Sequence, residues 1–268
     1  MLGHGESAAQ TSPASETPEA QQADETDEPR PGPAEPSFRL INLPTTLRLP
    51  RHRSSFDLVH RFNGNLAQGS FSHHASNLFG LDQGASIGIE YRFAMTSRLQ
   101  AIVFRTNIDK TFQFSGKYDV TRQNTSTPLS VSALVAVEGA DNFQERRSPS
   151  LGLAVTRTMR DVLALHASPI WIHDTAALLG EERDTWLVGL GVRLRVRPTV
   201  YLVGEAAPRV AGHAPGEAEF SFAIEKRAGL HVFQLNVTNS QATTFGQLAR
   251  GGFEDSLYLG FNLTRKFY

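Results

Sequence analysis

The chain has 268 residues, 40% of them hydrophobic, with 22 glycines, 17 phenylalanines and a formal net charge of -1. It contains no cysteine, which excludes disulfides, thiol catalysis, cysteine metal sites and the anchor of a lipoprotein. No run of about 18 apolar residues occurs, so no helix spans a membrane, and the basic residues are too few and too dispersed for nucleic acid.

Residues 1–37 hold eight acids (Glu6, Glu16, Glu19, Asp24, Glu25, Asp27, Glu28 and Glu35) against Arg30 alone, a net of -7, which leaves +6 for the remainder. Rich in Ala, Glu, Pro, Ser and Thr and almost without large apolar side chains, this segment cannot bury enough surface to offset its ordering entropy and is expected to be disordered. No apolar core of about 7–15 residues follows a basic start, so an export signal is expected to have been removed, or the true start to lie upstream. Residues 38–53 follow as a lead-in. Its apolar run Phe38–Leu49, broken by Pro44, reads as a periplasmic entry or a short plug.

From residue 54 to residue 268 the pattern is one of strands. They are expected at Ser54–Phe62, Gln83–Ala94, Arg98–Thr106, Lys110–Arg122, Leu129–Gly139, Ser150–Thr158, Val162–His173, Thr185–Val196, Thr199–Arg209, Ala218–Lys226, Leu230–Asn239 and Asp255–Tyr268. Four carry a clear period of two. The second sets Ala85, Ile87, Ile89, Tyr91 and Phe93 against Ser86, Gly88, Glu90 and Arg92. The fourth sets Phe112, Phe114, Tyr118 and Val120 against Gln113, Ser115, Lys117, Asp119 and Thr121. The eighth opposes Trp186, Val188, Leu190, Val192 and Leu194 to Gly189, Gly191, Arg193 and Arg195, and the tenth opposes Phe220, Phe222 and Ile224 to Glu219, Ser221, Ala223 and Glu225. The third and ninth give no clear face. A shared apolar face and a shared polar one predict an all-β fold, a closed antiparallel up-and-down transmembrane β-barrel of about twelve strands.

Link lengths support this. Short links (Met95–Ser97, Gln123–Pro128, Met159–Asp161, Arg197–Pro198, Arg227–Gly229) alternate with long ones (Asn63–Asp82, Ala140–Pro149, Asp174–Asp184, Val210–Glu217, Ser240–Glu254), and only Asn107–Asp109 is out of phase. The last strand, SLYLGFNLTRKFY, is expected to zip against the first and remove the sheet's edges.

The stretch HRFNGNL…SNLFGLDQGASIGIEYRF from His60 to Phe93, with LALHASPIWIHD and LYLGFNLTRKFY, resembles a family of bacterial outer-membrane β-barrel proteins known by a domain of unknown function. The box Asn77-Leu78-Phe79-Gly80-Leu81-Asp82 is its most specific part. The resemblance implies an outer-membrane barrel, with membrane lipid and the barrel-assembly machinery as partners, and it supplies no substrate, cofactor or catalytic residue. One departure is the terminal register: Phe267 continues the lipid face, Arg265 interrupts it and Tyr268 falls on the other side.

Three constellations raise chemistry. His166 and Ser168 stand two apart on one strand face, the spacing of the His and Ser in outer-membrane phospholipases, so a hydrolase is one alternative. His73-His74, with His60, reads as a solvated loop rather than a metal site, because adjacent extended residues point apart. His173-Asp174 reads as a hydrogen bond at the rim. No metal or cofactor is expected. Glu90, Arg92, Lys117, Asp119, Arg193, Arg195, Glu219 and Glu225 would line the lumen, either as the charged constriction of a narrow passive channel or as pairs filling a structural barrel. Tyr91, Phe93, Tyr118, Trp171, Trp186, Tyr201, Phe267 and Tyr268 would supply much of the interfacial aromatic belt. A soluble ligand-binding barrel, with its apolar face inward, is the other alternative.

Overall fold

A strand with lipid on one side and a packed lumen on the other needs strict alternation along its length. The computed structural model describes residues 1–3, 33–175 and 183–268, and in it that alternation closes into one sheet. The strands are β1 (Ser54–Asn65), β2 (Ala85–Ala94), β3 (Leu99–Thr106), β4 (Phe112–Thr121), β5 (Ser130–Gly139), β6 (Glu145–Met159), β7 (Leu163–Ile172), β8 (Thr185–Arg197), β9 (Val200–Ala207), β10 (Arg209–Gly212), β11 (Glu219–Ala228), β12 (His231–Thr238) and β13 (Tyr258–Phe267). Both β9 and β10 pair with β8, so they form one strand interrupted at Pro208, which has no N–H to give to the ladder. The result is a closed antiparallel barrel of 12 strands in up-and-down order.

Closure runs through β13. Its residues pair with β1 from Ser54↔Phe267 to Arg61↔Gly260, and with β12 from His231↔Arg265 to Thr238↔Tyr258. No edge is left, which removes the unpaired backbone groups that lipid cannot satisfy.

The outer face carries Ile87, Ile89 and Tyr91 on β2, Phe114, Tyr118 and Val120 on β4, Trp186, Leu190 and Val192 on β8, and Phe222 and Ile224 on β11, all exposed. Their strand neighbours Glu90, Arg92, Lys117, Asp119, Arg193, Glu219 and Glu225 are buried inside. Apolar groups outside and charges inside are the reverse of a soluble barrel, so the soluble ligand-binding reading is wrong. The two strands that lacked a clear face prove to send apolar groups inward. Ile102 and Phe104 on β3, and Tyr201 and Val203 on β9, all point to the interior. Tyr201 therefore belongs to no interfacial belt; its hydroxyl donates to the Pro33 carbonyl at 2.9 Å.

The short links lie at the end where β1 begins and β13 ends. The out-of-phase link after β3 is a single 3-10 turn, Ile108–Lys110. β6 starts at Glu145, earlier than the alternation predicts, and so shortens the loop that precedes it.

Candidate functional site: a filled lumen

The segment Ser37–Pro50 precedes β1 and folds back on itself inside the barrel. Leu40 N donates to Leu43 O at 2.8 Å and Thr45 N to Phe38 O at 3.0 Å, so Leu40–Leu43 form the tip of a tight hairpin. Pro44 sits opposite Arg39 at its neck and lends the turn a fixed φ. Residues 33–37, at the end of the acidic stretch, are also ordered here, with Ala34 and Ser37 buried. Most of that stretch lies outside the described residues.

Tip and wall bind backbone to side chain. The amides of Ile41, Asn42 and Leu43 converge on the Glu205 carboxylate, at 2.9 Å, 2.7 Å and 3.1 Å. Successive amides around one anion make a nest, and a buried carboxylate needs such donors to offset its lost hydration. The hairpin's carbonyls are met in turn. Arg193 Nη2 donates to Arg39 O at 2.7 Å, Gln234 Nε2 to Leu40 O at 2.7 Å, and Asn262 Nδ2 to Ile41 O at 2.9 Å. Asn42 donates to Glu219 at 3.1 Å and accepts from Arg61 Nη2 at 3.1 Å.

The apolar side chains of the tip occupy slots made by absent side chains. A Cβ on Gly191 would come within 2.1 Å of Leu40 Cδ1, and one on Gly189 within 2.6 Å of Leu43 Cδ2. These glycines admit the hairpin.

A second segment fills the lumen from the long-loop end. The link between β12 and β13 carries a short helix, Phe245–Ala249, capped by Thr244. Its first amides are held by the wall, Phe245 N by Gln113 Oε1 at 2.9 Å and Gly246 N by Glu138 Oε2 at 2.9 Å. Phe245, Leu248 and Ala249 join Leu40, Ile41, Leu43, Ile170, Ile172 and Leu187 in one apolar cluster within the barrel. Cavities of about 10 Å³ and 30 Å³ remain beside the hairpin, room for a water and little else. A hollow of about 470 Å³ opens at the short-turn mouth, bordered by Glu35, Leu47, Arg122 and Arg160.

The eight residues expected to line the lumen fall into place as follows. Glu90 pairs with Arg92 at 2.7 Å and with Arg39 at 3.6 Å. Lys117 donates to the Thr45 carbonyl at 3.1 Å and stands 3.7 Å from Asp119, which also faces Arg48 at 3.4 Å. Arg193 pairs with Glu225 at 3.2 Å. Glu219 accepts from Asn42 and from Ser221. Arg195 is only partly buried, two residues from the end of β8. The other seven side chains are buried among protein groups rather than open water. Glu205, Arg61, Gln234 and Asn262 are equally part of the site and escaped the sequence reading. Glu205 lies on a strand whose inward apolar residues hid its alternation.

No triad forms around His166 and Ser168. His166 Nδ1 lies 3.1 Å from Thr156 Oγ1, while the Ser168 hydroxyl is buried without a hydrogen-bond partner among the described residues. The rim histidine bonds Asp184, not Asp174: His173 Nδ1 stands 2.7 Å from Asp184 Oδ1, and Trp171 Nε1 donates to Oδ2 at 3.0 Å. Desolvation pushes the Asp184 carboxyl up, but the donors His173, the Asp174 amide and Trp171 together outweigh it and hold it below the usual carboxylate range. His73 and His74 are on a short exposed helix, Phe71–Ser76. In the Asn77–Asp82 box, Gly80 packs against Gly64 so closely that neither position admits a Cβ. Among the described residues no group of three or more His, Asp or Glu is placed to hold a metal ion.

A sequence profile described as a membrane bound beta barrel domain (DUF5777) matches residues 36–267. No curated protein sequence matches the chain. Among solved structures, the NanC porin is similar with a TM-score of 0.54 at 7% identity, over 80% of this chain and 99% of that one. An outer membrane channel from Pseudomonas putida F1 gives 0.47 at 14% identity, over 82% of this chain and 97% of its own. The Acinetobacter baumannii outer membrane protein Omp33 gives 0.46 at 8%, over 83% and 100%.

Proposed function

Since the chain belongs to this family of membrane-bound β-barrel domains, we propose that it is a non-enzymatic barrel of the bacterial outer membrane, a narrow channel held shut by its own N-terminal hairpin. An even number of strands, short turns at one end and long loops at the other support that membrane. So does the shared fold with the NanC porin.

The observation that carries the gated reading is the way the hairpin is held. Wall side chains alone fill a barrel of about eight strands, and a lumen of twelve lies between that case and an open pore. Here buried wall groups, with Glu205 at the centre, direct their hydrogen bonds to the backbone of a separate segment that enters from one mouth. Such a segment can withdraw as a unit and expose the polar wall groups that hold it.

The test is planar-bilayer conductance of the full chain beside Glu205→Gln. A carboxylate accepts all three tip amides, whereas the Gln side chain turns an NH₂ toward one of them. Wild type should be closed most of the time, and the variant should open far more often. If both stay silent in an intact barrel, the gate is wrong and a purely structural barrel stands in its place.

A further inference from the structure

On the outer face, three neighbouring strands end toward the short-turn rim in the same way. β11 runs Phe222, Ile224 and then Lys226; β12 runs Leu235, Phe233 and then His231; β13 runs Phe261, Leu263 and then Arg265. In each, the next outward position after lipid-facing apolar residues is basic. Pairing brings the three together, for Lys226 stands opposite Phe233 and His231 opposite Arg265.

The cluster is built rather than scattered. Arg265 Nη1 lies 2.7 Å from His231 Nε2, which ties the two side chains together. The Arg265 guanidinium also sits over the Phe267 ring at 5.8 Å, and the His231 ring stacks on Phe233 at 6.0 Å. Neither Lys226 nor Arg265 pairs with a carboxylate among the described residues.

We propose that Lys226, His231 and Arg265 form a binding site for the headgroup of an anionic phospholipid in the leaflet facing the short turns. The depth argues for lipid. One outward step along a strand is about 7 Å, so these charges follow the apolar residues at the edge of the belt, with the aromatic Phe267 one step beyond Arg265, where the girdle meets the phosphates. An acidic polypeptide would have to enter the membrane plane to reach them. Phe233 and Ile224, both exposed, provide the apolar wall along which an acyl chain would lie. Lys226 supplies a point charge, and Arg265 a planar fork suited to two phosphate oxygens.

The test uses the full chain reconstituted with equal phosphatidylcholine and phosphatidylglycerol, with retained lipids counted by native mass spectrometry. Wild type should retain phosphatidylglycerol preferentially. Lys226→Gln with Arg265→Gln should lower that preference roughly fivefold for each charge removed. Heat-modifiable gel migration reports whether the barrel is intact. If the double variant fails to fold, Lys226→Gln alone serves, since its ammonium makes no hydrogen bond or ion pair among the described residues. Arg157→Gln with Arg160→Gln, on another part of the same rim, should leave the preference unchanged. Equal retention of both lipids by wild type overturns the site, and so does an equal loss in the Arg157 and Arg160 pair, which would make the attraction a diffuse one. Displacement of the lipid by millimolar inorganic phosphate would assign the cluster to a free anion instead.

Discussion

Arg39 Nη2 donates to the carbonyl oxygen of Thr243 at 2.9 Å, and this bond joins the segments that fill the lumen from its two ends. Arg39 belongs to the hairpin from the short-turn mouth, and Thr243 leads into the helix from the long-loop side. The same guanidinium stands 3.6 Å from Glu90 and over the Phe104 ring at 4.9 Å. Arg39→Ala removes all three contacts and leaves Glu90 to Arg92. A hydrogen bond to a charged group contributes about 1.5–3 kcal/mol, so the melting temperature of the folded barrel should fall and conductance should appear. An unchanged melt with silent bilayers would mean that the two segments are held independently of each other.

The adjacent pair Leu190 and Gly191 separates lipid from lumen. Leu190 is exposed on the outer face, and Gly191 is filled on the inside by Leu40. Leu190→Arg places a charge in lipid, at about 2–4 kcal/mol near the midplane, and should impair insertion. Gly191→Leu should leave insertion intact, displace the hairpin tip and raise the open probability in bilayers. Sequence alone ranks a lumen change such as Gly191→Ser as far milder than Leu190→Arg, because the hairpin contact cannot be seen there. Impaired insertion from both would show that position 191 is not reporting on the plug.

Alternation made the barrel legible wherever one face met lipid and the other met charge. The strands β2, β4, β8 and β11 lie close to where that pattern puts them. It failed where the lumen itself is apolar. Ile102 and Phe104 on β3 and Val203 on β9 point inward, so their strands show no division of faces. The hairpin was legible only as a lead-in or plug, because Phe38, Leu40, Ile41 and Leu43 follow neither a period of two nor one of 3.6 around Pro44. Its partners are single polar residues spread over β1, β8, β9, β12 and β13, and only the closed sheet brings Arg61, Arg193, Glu205, Gln234 and Asn262 to one turn.

Arg193 and Arg195 look alike in sequence and differ in the fold. Arg193 is fully buried, pairs with Glu225 and holds the Arg39 carbonyl. Arg193→Gln leaves the buried Glu225 with Gln234 as its remaining partner, at 3.0 Å. Breaking a buried pair from one side costs about 3–5 kcal/mol, so a clear drop in the melting temperature is expected. Arg195→Gln, at a partly exposed position near the turn, should change it far less. Equal drops would mean that the buried pair contributes nothing beyond ordinary packing.

Ser168 provides the decisive check on the hydrolase alternative. A nucleophilic serine needs its hydroxyl within hydrogen-bond reach of a base, and that base oriented by a third group. Here the hydroxyl is buried in the lumen wall without a partner among the described residues, and His166 turns its Nδ1 to Thr156 at 3.1 Å. Removing an unpaired buried hydroxyl relieves a desolvation penalty, so Ser168→Ala should be neutral or stabilising by up to about 1 kcal/mol. Wild type and Ser168→Ala should release fatty acid from mixed phospholipid micelles at the same background rate. Release above background that disappears in Ser168→Ala would restore the hydrolase and require His166 to turn away from Thr156 and reach the serine.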